Sequence, residues 1–430
     1  MSGISYRISV IGLGYVGLPS ALALHEAGHS IHGVDVSHEV IQSLREGKSH
    51  LGDQTKKYAI PNESKNWSLS SVYGADLTTS DIVIVTVPTP TKNENEPDIS
   101  YVKAAFEEIM PWVGKASGKI LVLESTVYPG VTRSVTLDVS RKYGLVAGID
   151  YHIAYCPERI NPGVEHRDID NIVRIIGCDD AEIANKLVDI YSDISKAAVY
   201  CGTPEVAEAA KLIENVQRDV DIALANEMSI VLSNMNLDSE EVFKAAATKW
   251  NFHRHTPGIG VGGHCIAVDP YYYLDIFKHQ NLLEDSLVTT SRSINNTMPI
   301  IGSNLIVKNL DLKKGDKVLF MGFSYKKNIG DSRNTPVREL VLSLLGKGIS
   351  CEIFDPICDP RLDLVTWHND HNALGDDYDA LVISTPHDMF DLRPAELQNL
   401  VSSKNIFDGR RALNPNEFIE AGWKYSAVGY

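Results

Sequence analysis

Short apolar runs rich in β-branched residues alternate along the chain with longer segments of helix-forming residues. Runs of this kind, separated by helical segments, are typical of strands buried in parallel sheets. The first group of predicted strands lies at residues 7–11, 30–35, 81–87, 119–126, 151–155 and 172–177. The second group begins at residue 316 and continues at 351–355, 380–385 and 405–408. The pattern predicts an α/β fold with two Rossmann-like doubly wound domains joined by a long central helix.

The central helix is predicted from residues 204–236, which contain no glycine. Lys211, Asn215 and Arg218 share one stripe of this helix because they are four and three residues apart. A polar stripe is typical of a solvated face, but on a helix between two α/β domains we expect it to line a cleft. We predict an N-terminal domain at 1–203, a central helical region at 204–300 and a C-terminal domain at 301–430. Residues 48–70 are polar and predict a helix–loop insertion.

The first predicted strand leads into a G-x-G-x-x-G sequence at residues 12–17 and then into a helix. In this arrangement the first glycine permits a tight turn, the second lets the backbone approach a pyrophosphate, and the third lets helix and strand pack closely. Asp35 ends the second predicted strand, where a carboxylate accepts hydrogen bonds from ribose and repels a 2′-phosphate. We therefore predict an NAD site. Its residues are Gly12, Leu13, Gly14, Tyr15, Val16 and Asp35.

Composition excludes several classes of function. The formal net charge of −16 argues against non-specific nucleic-acid binding. No run approaches the roughly 18 apolar residues of a membrane helix, and a strand is predicted almost from the N-terminus, so we expect a cytoplasmic protein without a membrane partner. The six cysteines include no C-x-x-C pair. This usage fits a reducing compartment and predicts neither a disulfide framework nor a bound metal.

One thiol lies in an unusual loop. Residues 258–270 read Gly-Ile-Gly-Val-Gly-Gly-His-Cys-Ile-Ala-Val-Asp-Pro and present Cys265 among four glycines. Glycines let a backbone approach a ligand closely, and a deprotonated thiol attacks electrophilic carbon. A lone cysteine is more often a small buried hydrophobic residue. The dinucleotide fingerprint elsewhere in the chain favours the nucleophile.

Further candidates follow predicted strands. Thr89 and Thr126 come after two of them, where doubly wound sheets bind ligands, although turn or capping roles are equally compatible. A Pro-bounded loop presents Glu158 and Arg159. Basic residues near strand ends in the C-terminal half suit an anionic ligand, and each could equally be a surface charge. These are Lys326, Arg333 and Arg410.

These motifs resemble those of the UDP-glucose/GDP-mannose dehydrogenase family nearly end to end. They occur in the family's order: GLGYVGLP, VPTP, ESTVYPG, YCPERINPG, AEAAKLIENVQRD, GGHCIAVDP, GFSYKKNIGDSRNTP and DGRR. GGHC followed by AVDPYYY, together with CPERINPG, is similar to members that act on UDP-N-acetylhexosamines.

The resemblance implies a four-electron oxidation of the C6 hydroxyl of UDP-GlcNAc or UDP-GalNAc to a uronic acid, for surface polysaccharide synthesis. Two NAD molecules accept the hydrides, and a thiohemiacetal and a thioester form on Cys265. UDP-glucose or UDP-N-acetylmannosamine is the alternative substrate, and a homodimer through the central helix is implied.

The resemblance also implies roles for individual residues. Lys211 and Asn215 stabilise oxyanions, Asp269 or Glu158 activates the hydrolytic water, and Thr126 positions that water or, with Thr89, contacts the nicotinamide. The implied substrate contacts are Glu158, Arg159, Ile160, Lys211, Asn215, Arg218, Arg254, Gly262, Gly263, Tyr325, Lys326, Arg333 and Arg410.

Two departures from the family pattern and two rival functions remain open. The arginine that many relatives carry some fourteen residues before the cysteine is absent, and Arg254 or Lys249 is the candidate substitute. Residues 49–54 lack an acidic-proline signature common among relatives. A two-electron hydroxyacid dehydrogenase would share the Rossmann domain without needing Cys265, and a dinucleotide sensor would need no catalytic residue.

Overall fold

The computed structural model describes residues 4–51, 57–92, 95–159, 171–280, 285–358 and 362–430. The chain forms two compact units. The first contains residues 1–214 and 271–276, and the second contains residues 215–270 and 277–430. The helix Pro204–Asn234 begins in the first unit and ends in the second.

The first unit is built on a mostly parallel sheet. Its strands are β1 (Arg7–Ile11), β2 (Ser30–Val34), β3 (Trp67–Ser70), β4 (Ile82–Val85), β5 (Thr91–Lys92), β6 (Glu96–Pro97), β7 (Lys119–Leu123), β8 (Tyr151–Tyr155), β9 (Val173–Cys178) and β10 (Ala197–Gly202). β5 and β6 pair with each other, and the other eight form one sheet in the order β10-β9-β8-β7-β4-β1-β2-β3. From β3 to β8 this is the 3-2-1-4-5-6 order of dinucleotide-binding domains. β9 runs antiparallel to β8.

Helices and apolar side chains cover both faces of this sheet. Along β4, Ile82 and Ile84 belong to one core cluster while Val83 and Val85 belong to the other, because successive strand residues point to opposite faces. This two-sided burial explains why the strands are continuous apolar runs. The helices are α1 (Gly17–Glu26), α2 (His38–Arg45), α3 (Asp76–Thr79), α4 (Ser100–Ile109), α5 (Val131–Arg141), α6 (Ala181–Ser192) and α7 (Pro204–Asn234), with a 3₁₀ turn at Met110–Trp112.

The interpretation of residues 48–70 as a helix–loop insertion is wrong at its end. Trp67–Ser70 forms β3 and pairs in parallel with β2. The Trp67 side chain is fully buried in the core below that strand. A single aromatic residue in a polar segment therefore extends the sheet by one strand.

The second unit repeats the same architecture. Its strands are β11 (Lys317–Met321), β12 (Ser350–Phe354), β13 (Thr366–His368), β14 (Ala380–Ile383), β15 (Asn405–Asp408) and β16 (Lys424–Ala427). They are all parallel, in the order β13-β12-β11-β14-β15-β16, which is again 3-2-1-4-5-6. The helices that follow α7 along the chain are α8 (Ser239–Ala246), α9 (Asp269–Gln280), α10 (Leu287–Asn309), α11 (Pro336–Gly346), α12 (Pro394–Leu397) and α13 (Pro415–Glu420), with 3₁₀ turns at His371–Ala373 and Gln398–Leu400.

Among the described residues, no helix combines the length and the apolar character needed to cross a membrane.

Candidate active site

The first unit gathers its candidate residues at one edge of the sheet. The strands β8, β7, β4, β1 and β2 are neighbours and run parallel, so their carboxyl ends lie side by side. Ligands of doubly wound sheets bind at this edge. The predicted residues that follow these strands are Glu158, Thr126, Thr89, the turn at 12–17 and Asp35.

The three glycines of the turn have different surroundings. Gly12 has a φ of +90°, in the left-handed region that favours glycine. A methyl group at Gly17 would lie 1.9 Å from the Gly12 carbonyl oxygen, so α1 packs directly on the turn. A methyl group at Gly14 would meet no heavy atom of the described residues within 4 Å. Gly14 therefore borders open space, as a dinucleotide approaching the backbone requires.

Asp35 is tied to the same turn. The Leu13 backbone N–H donates to Asp35 Oδ2 at 2.8 Å, and the Ser37 N–H donates to Oδ1 at 2.9 Å. Within the described chain, no side chain caps the N-terminus of α1 and no acidic residue occupies its first turn. The uncapped N–H groups and the helix dipole suit a pyrophosphate. The turn, the helix end and Asp35 thus fit NAD.

Two loops beside the turn carry Thr89 and Thr126, both half-buried. The Ser125 hydroxyl donates to the Val87 carbonyl at 2.6 Å and joins the two loops. The Tyr272 hydroxyl donates to the Thr89 carbonyl at 3.0 Å. Both hydrogen bonds are accepted by backbone carbonyls of the loop that carries Thr89. The hydroxyl groups of Thr89 and Thr126 are candidate contacts for the cofactor.

Glu158 lies in a buried ionic cluster that the sequence did not reveal. Arg174 is fully buried and forms ion pairs with Glu158 and, at 3.2 Å, with Glu124. The Tyr191 hydroxyl donates to Glu124 at 2.6 Å. Burial raises the pKa of Glu124, and Arg174 opposes that shift. Burial likewise raises the pKa of the Cys156 thiol, which lies in the same cluster.

The main chain of this loop connects Glu158 to the long helix. Lys211 Nζ, which is buried, donates to the Glu158 carbonyl at 2.7 Å. The Arg159 N–H donates to Glu158 Oε1 at 2.6 Å, while the Arg159 guanidinium pairs with Glu214. Ile160, a predicted substrate contact, lies outside the described residues. Glu158, Arg159 and Lys211 are therefore brought together.

The second unit presents Cys265 with its side chain exposed. The glycines before it pack tightly instead of leaving space. A methyl group at Gly262 would lie 2.7 Å from the Asn334 carbonyl oxygen, and one at Gly263 would lie 2.8 Å from the Tyr325 ring. The Gly263 N–H donates to the Arg333 carbonyl at 3.2 Å. These contacts hold the loop that carries the thiol against the segment after β11.

A buried polar network fixes the start of the same loop. Arg292 donates to Asp219 at 2.6 Å, and Asn295 donates to Asp219 at 2.8 Å. Asn226 donates to Asn295 at 2.9 Å and accepts from the Gly258 N–H at 3.0 Å. Burial raises the pKa of Asp219, with Arg292 opposing it. The loop is thereby anchored to α7 and α10.

Asp269 follows Cys265 by one helical turn. The Val268 and Asp269 N–H groups both donate to the Cys265 carbonyl, at 2.9 and 2.8 Å. Asn215 Nδ2 donates to the Asp269 carboxylate, which is 2% exposed. The predicted pair Asn215 and Asp269 is in direct contact.

Basic residues of the second unit include one near the thiol, Lys326, and one after β15, Arg410. Burial, and then Arg218, lower the pKa of Lys326 to about 8, whereas the nearby Cys265 raises it. Arg410 follows β15, donates to the carbonyls of Ser384 and Gly260 at 3.0 Å, and has its pKa lowered by burial to about 10. Lys326 and Arg410 follow β11 and β15 at the carboxyl edge of the second sheet and supply local positive charge in a chain of net charge −16.

The sequence alone did not indicate His264 and Asp331 as candidate site residues. His264 Nδ1 lies 3.6 Å from Asp331 Oδ2 and 3.2 Å from Arg333 Nη2. Burial lowers the pKa of His264, but hydrogen bonds with Asp331 and Cys265 outweigh burial and raise it to about 9. The Asp331 pKa is held low by His264 and Arg333 against the opposing effect of burial. Only the adjacency of His264 to the cysteine could have suggested this group, since Asp331 is remote in sequence.

One predicted contact has a different partner. The Arg254 guanidinium pairs with Glu240 on α8, and among the described residues it forms no ion pair with a predicted site residue. In the described ranges no group of three His, Cys, Asp or Glu residues is arranged to hold a metal ion.

Three family models match the chain in order. They are the NAD binding domain (residues 6–195), the central domain (205–297) and the UDP binding domain (319–415) of the UDP-glucose/GDP-mannose dehydrogenase family.

Similar proteins extend over most of the chain. Protein CapL of Staphylococcus aureus is 35% identical over 96% of this chain and 97% of its own length. UDP-N-acetyl-D-glucosamine 6-dehydrogenase of Pseudomonas aeruginosa is 37% identical over 81% of this chain and 82% of its own length. The solved structure of a UDP-D-ManNAc dehydrogenase from Pyrococcus horikoshii has a TM-score of 0.86 at 28% identity and covers 98% of this chain and 99% of its own. The predicted fold of two Rossmann-like domains and the predicted cofactor, NAD, are confirmed.

Proposed function

Because the chain belongs to the UDP-glucose/GDP-mannose dehydrogenase family and is an NAD-dependent UDP-sugar dehydrogenase, we propose that it converts a UDP-N-acetylhexosamine, UDP-GlcNAc or UDP-GalNAc, to the 6-uronic acid. The observation that carries the proposal is the exposed Cys265 thiol, which has a histidine and a lysine beside it. Oxidation of an alcohol to an aldehyde needs no nucleophile. The second oxidation, from the aldehyde to the acid, is faster when a nucleophile of the enzyme holds the aldehyde covalently. The similarity to a UDP-GlcNAc 6-dehydrogenase supports the N-acetylated sugar.

The proposed mechanism assigns each step to residues of the chain. The turn at 12–17 and Asp35 would hold NAD, which would supply the hydride acceptor for each of the two oxidations at C6. Cys265 adds to the intermediate aldehyde, and the resulting thiohemiacetal becomes a thioester at the second oxidation. Lys211 and Asn215 stabilise the oxyanions. Hydrolysis of the thioester releases the acid.

The hydrolytic water has two candidate bases. Asp269 contacts Asn215, whereas Glu158 is already paired with Arg174. Either carboxylate, Asp269 or Glu158, is proposed to activate the water, and Glu158 is also proposed to bind the substrate. Thr126 is proposed to position the water or contact the nicotinamide, with Thr89 beside it.

The remaining predicted contacts are proposed to bind the UDP-sugar. Four basic side chains of the second unit are proposed to bind the diphosphate of the UDP-sugar, since Arg and Lys recognise phosphate oxygens. They are Arg218, Lys326, Arg333 and Arg410. The other proposed contacts are Arg159, Ile160, Gly262, Gly263, Tyr325 and Arg254.

The principal alternative is UDP-N-acetylmannosamine, which differs from UDP-GlcNAc only in configuration at C2. The similarity to the Pyrococcus horikoshii UDP-D-ManNAc dehydrogenase favours this second candidate.

The test is NADH release with UDP-GlcNAc, UDP-GalNAc, UDP-ManNAc and UDP-glucose, combined with the mass of each product. We expect two NADH per molecule of N-acetylated uronate. Turnover of UDP-glucose alone would contradict the substrate class, and one NADH with an aldehyde product would contradict the covalent step. Reaction with UDP-ManNAc alone would select the alternative.

We also propose a homodimer through α7. The exposed side chains Leu224, Met228 and Val231 recur every three or four residues of α7 and so form one apolar stripe, which the exposed Met235 follows directly after the helix. Contiguous exposed apolar surface of this kind is typical of protein interfaces.

The free thiols of all six cysteines support a cytoplasmic location, and the uronate is proposed to serve surface polysaccharide synthesis.

A further inference from the structure

The acidic residue that follows the second strand has different surroundings in the two units. In the first unit Asp35 is half-buried and accepts the Leu13 N–H at 2.8 Å. In the second unit Asp355 follows β12, and its Oδ2 accepts the Phe323 N–H at 2.7 Å. The Asp355 side chain is fully buried, however, and the imidazole of His387 lies against it. This carboxylate is therefore used inside the protein, whereas its equivalent in a dinucleotide site accepts from ribose.

Each ring nitrogen of His387 has a defined partner. Nδ1 accepts the Asn328 backbone N–H at 2.8 Å, so the proton of the neutral ring is on Nε2. Nε2 faces Asp355 Oδ2 at 3.2 Å and Ser324 Oγ at 3.3 Å. The His387 side chain is buried, and a buried polar group that loses its partner is costly. The imidazole thus joins Asp355 to both ends of the segment 324–328, the 324–328 loop.

The two ends of the 324–328 loop have different further contacts. At its beginning, the buried Thr385 hydroxyl donates to the Ser324 carbonyl at 2.6 Å. At its end, Asn328 Nδ2 donates to the exposed Asp388 carboxylate at 2.6 Å. Contacts of exposed charges contribute little to stability because water competes for them and salt screens them. His387 therefore supplies a buried partner where the loop is otherwise held at the surface.

Two proposed contacts of the UDP-sugar, Tyr325 and Lys326, lie inside the 324–328 loop. A methyl group at Gly263 would lie 2.8 Å from the Tyr325 ring, so the ring packs directly on the loop that carries the thiol. Cys265 is also close enough to Lys326 to affect the pKa of its ammonium group. A displacement of the 324–328 loop would therefore move two proposed ligand-binding side chains relative to Cys265.

We propose that His387, oriented by Asp355, is a positioning residue that holds the 324–328 loop in the conformation that presents Tyr325 and Lys326 to the UDP-sugar. Since these two side chains contact a UDP-sugar only under the proposed function, the role of His387 in the reaction rests on that function. A loop that is already ordered costs no binding energy to order when the ligand arrives. The loss of the imidazole should thus weaken UDP-sugar binding more than it slows the chemical steps.

The test compares three variants of the full-length protein. His387→Ala removes the imidazole, and His387→Asn keeps a side-chain oxygen that accepts the Asn328 N–H in place of Nδ1. His368→Ala is the matched control, because His368 Nε2 also lies against a carboxylate of the second unit, that of Glu352 at 2.7 Å, but on β13.

Three measurements are made on each variant. Calorimetry gives the affinity for UDP, and steady-state kinetics give kcat and KM for the UDP-sugar that the wild-type protein oxidises. Hydrogen–deuterium exchange with peptide mass spectrometry follows the backbone amides of residues 323–328.

We expect His387→Ala to bind UDP about tenfold more weakly and to raise KM for the UDP-sugar about tenfold, with kcat within about twofold of the wild type. The 323–328 amides should exchange faster, while exchange in the strands of the second sheet stays unchanged. His387→Asn should recover most of the lost affinity. His368→Ala should leave both the UDP affinity and the exchange of these amides as in the wild type.

Equal losses of UDP affinity in His387→Ala and His368→Ala would overturn the proposal, because they would reflect a general loss of stability. Unchanged exchange of the 323–328 amides in His387→Ala would overturn it as well, and so would a fall in kcat at constant KM. If His387→Ala does not fold, His387→Gln replaces it, since the longer amide reaches the position of Nε2 and leaves the Asn328 N–H without its acceptor.

Failure of the proposed function has a different signature. A wild-type protein that oxidises none of the UDP-sugars would contradict the proposed reaction. The exchange rates and the UDP affinities of the variants would still decide whether His387 holds the 324–328 loop.

Discussion

At the scale of single residues, the thiol of Cys265 distinguishes the proposed reaction from a simple alcohol oxidation. We expect Cys265→Ser to form no uronate, because a hydroxyl cannot supply the thioester route, while its NAD affinity stays unchanged. The measurement combines product mass spectrometry with an NADH fluorescence titration. Cys351→Ser, a change at a buried thiol in the core of the second sheet, should leave uronate formation intact. Normal uronate output from Cys265→Ser would exclude the covalent step.

Arg174 is the residue whose loss should cost the most stability in the first unit. Arg174→Met leaves Glu124 and Glu158 buried without their cation, and removing one partner of a buried ion pair costs about 3–5 kcal/mol. Urea unfolding should show this loss at pH 7, and the deficit should shrink as the pH falls, because burial raises the pKa of Glu124 and the carboxyl becomes neutral.

The control for this prediction is Arg141→Met. Arg141 is 75% exposed and pairs only with Asp138 among the described residues, so its loss should change the free energy of unfolding by less than about 0.5 kcal/mol. Equal losses for Arg141→Met and Arg174→Met would mean that the buried cluster contributes no special stability.

Some site residues were visible in the sequence and others were not. Cys265 and the glycines at 12–17 stand in local patterns whose chemistry is readable from spacing. His264 and Asp331 meet only because the loop before Cys265 packs against the segment after β11. Arg174 lies inside an apolar strand, where nothing local indicates two carboxylate partners. Contacts made by tertiary packing leave no local signal.

At the scale of elements, the β1–turn–α1 unit separates the packing role of a glycine from its binding role. Gly17→Ala should destabilise the fold, because its methyl group would overlap the Gly12 carbonyl oxygen. Gly14→Ala should fold normally but bind NAD weakly, because its methyl group would enter the space left for the cofactor. Thermal melting with and without NAD measures both effects. Gly346→Ala, with open surroundings in the described chain, is the control.

If Gly17→Ala and Gly14→Ala had the same effects on the melting temperature and on NAD binding, the two glycines would not have separate roles in packing and binding. If Gly14→Ala bound NAD as tightly as the wild type, the cofactor would not approach the backbone at that glycine.

The elements themselves were largely predictable, since two-sided burial makes each central strand a continuous apolar run. The exceptions include the strands at the edges of both sheets, β3, β10, β13 and β16, which the pattern did not predict. β3 is short and mostly polar, and only Trp67 marks it. The antiparallel direction of β9 also has no local signature, because strand direction depends on the path of the connection.

At the scale of the whole molecule, the apolar stripe of α7 predicts that the working form is a homodimer. The side chains of Leu224 and Val231 are about half exposed, at 49% and 54%, and replacing both with Glu would place charges in the proposed interface. Sedimentation should give a mass near twice 47.4 kDa for the wild type and near 47.4 kDa for the Leu224→Glu/Val231→Glu variant. Ile419→Glu, which changes an exposed apolar residue on α13, should remain dimeric. A wild-type protein that sediments as a monomer at micromolar concentration would refute the homodimer. A dimer that persists in the double variant would place the interface on another surface, because two buried and unpaired carboxylates could not be accommodated on α7.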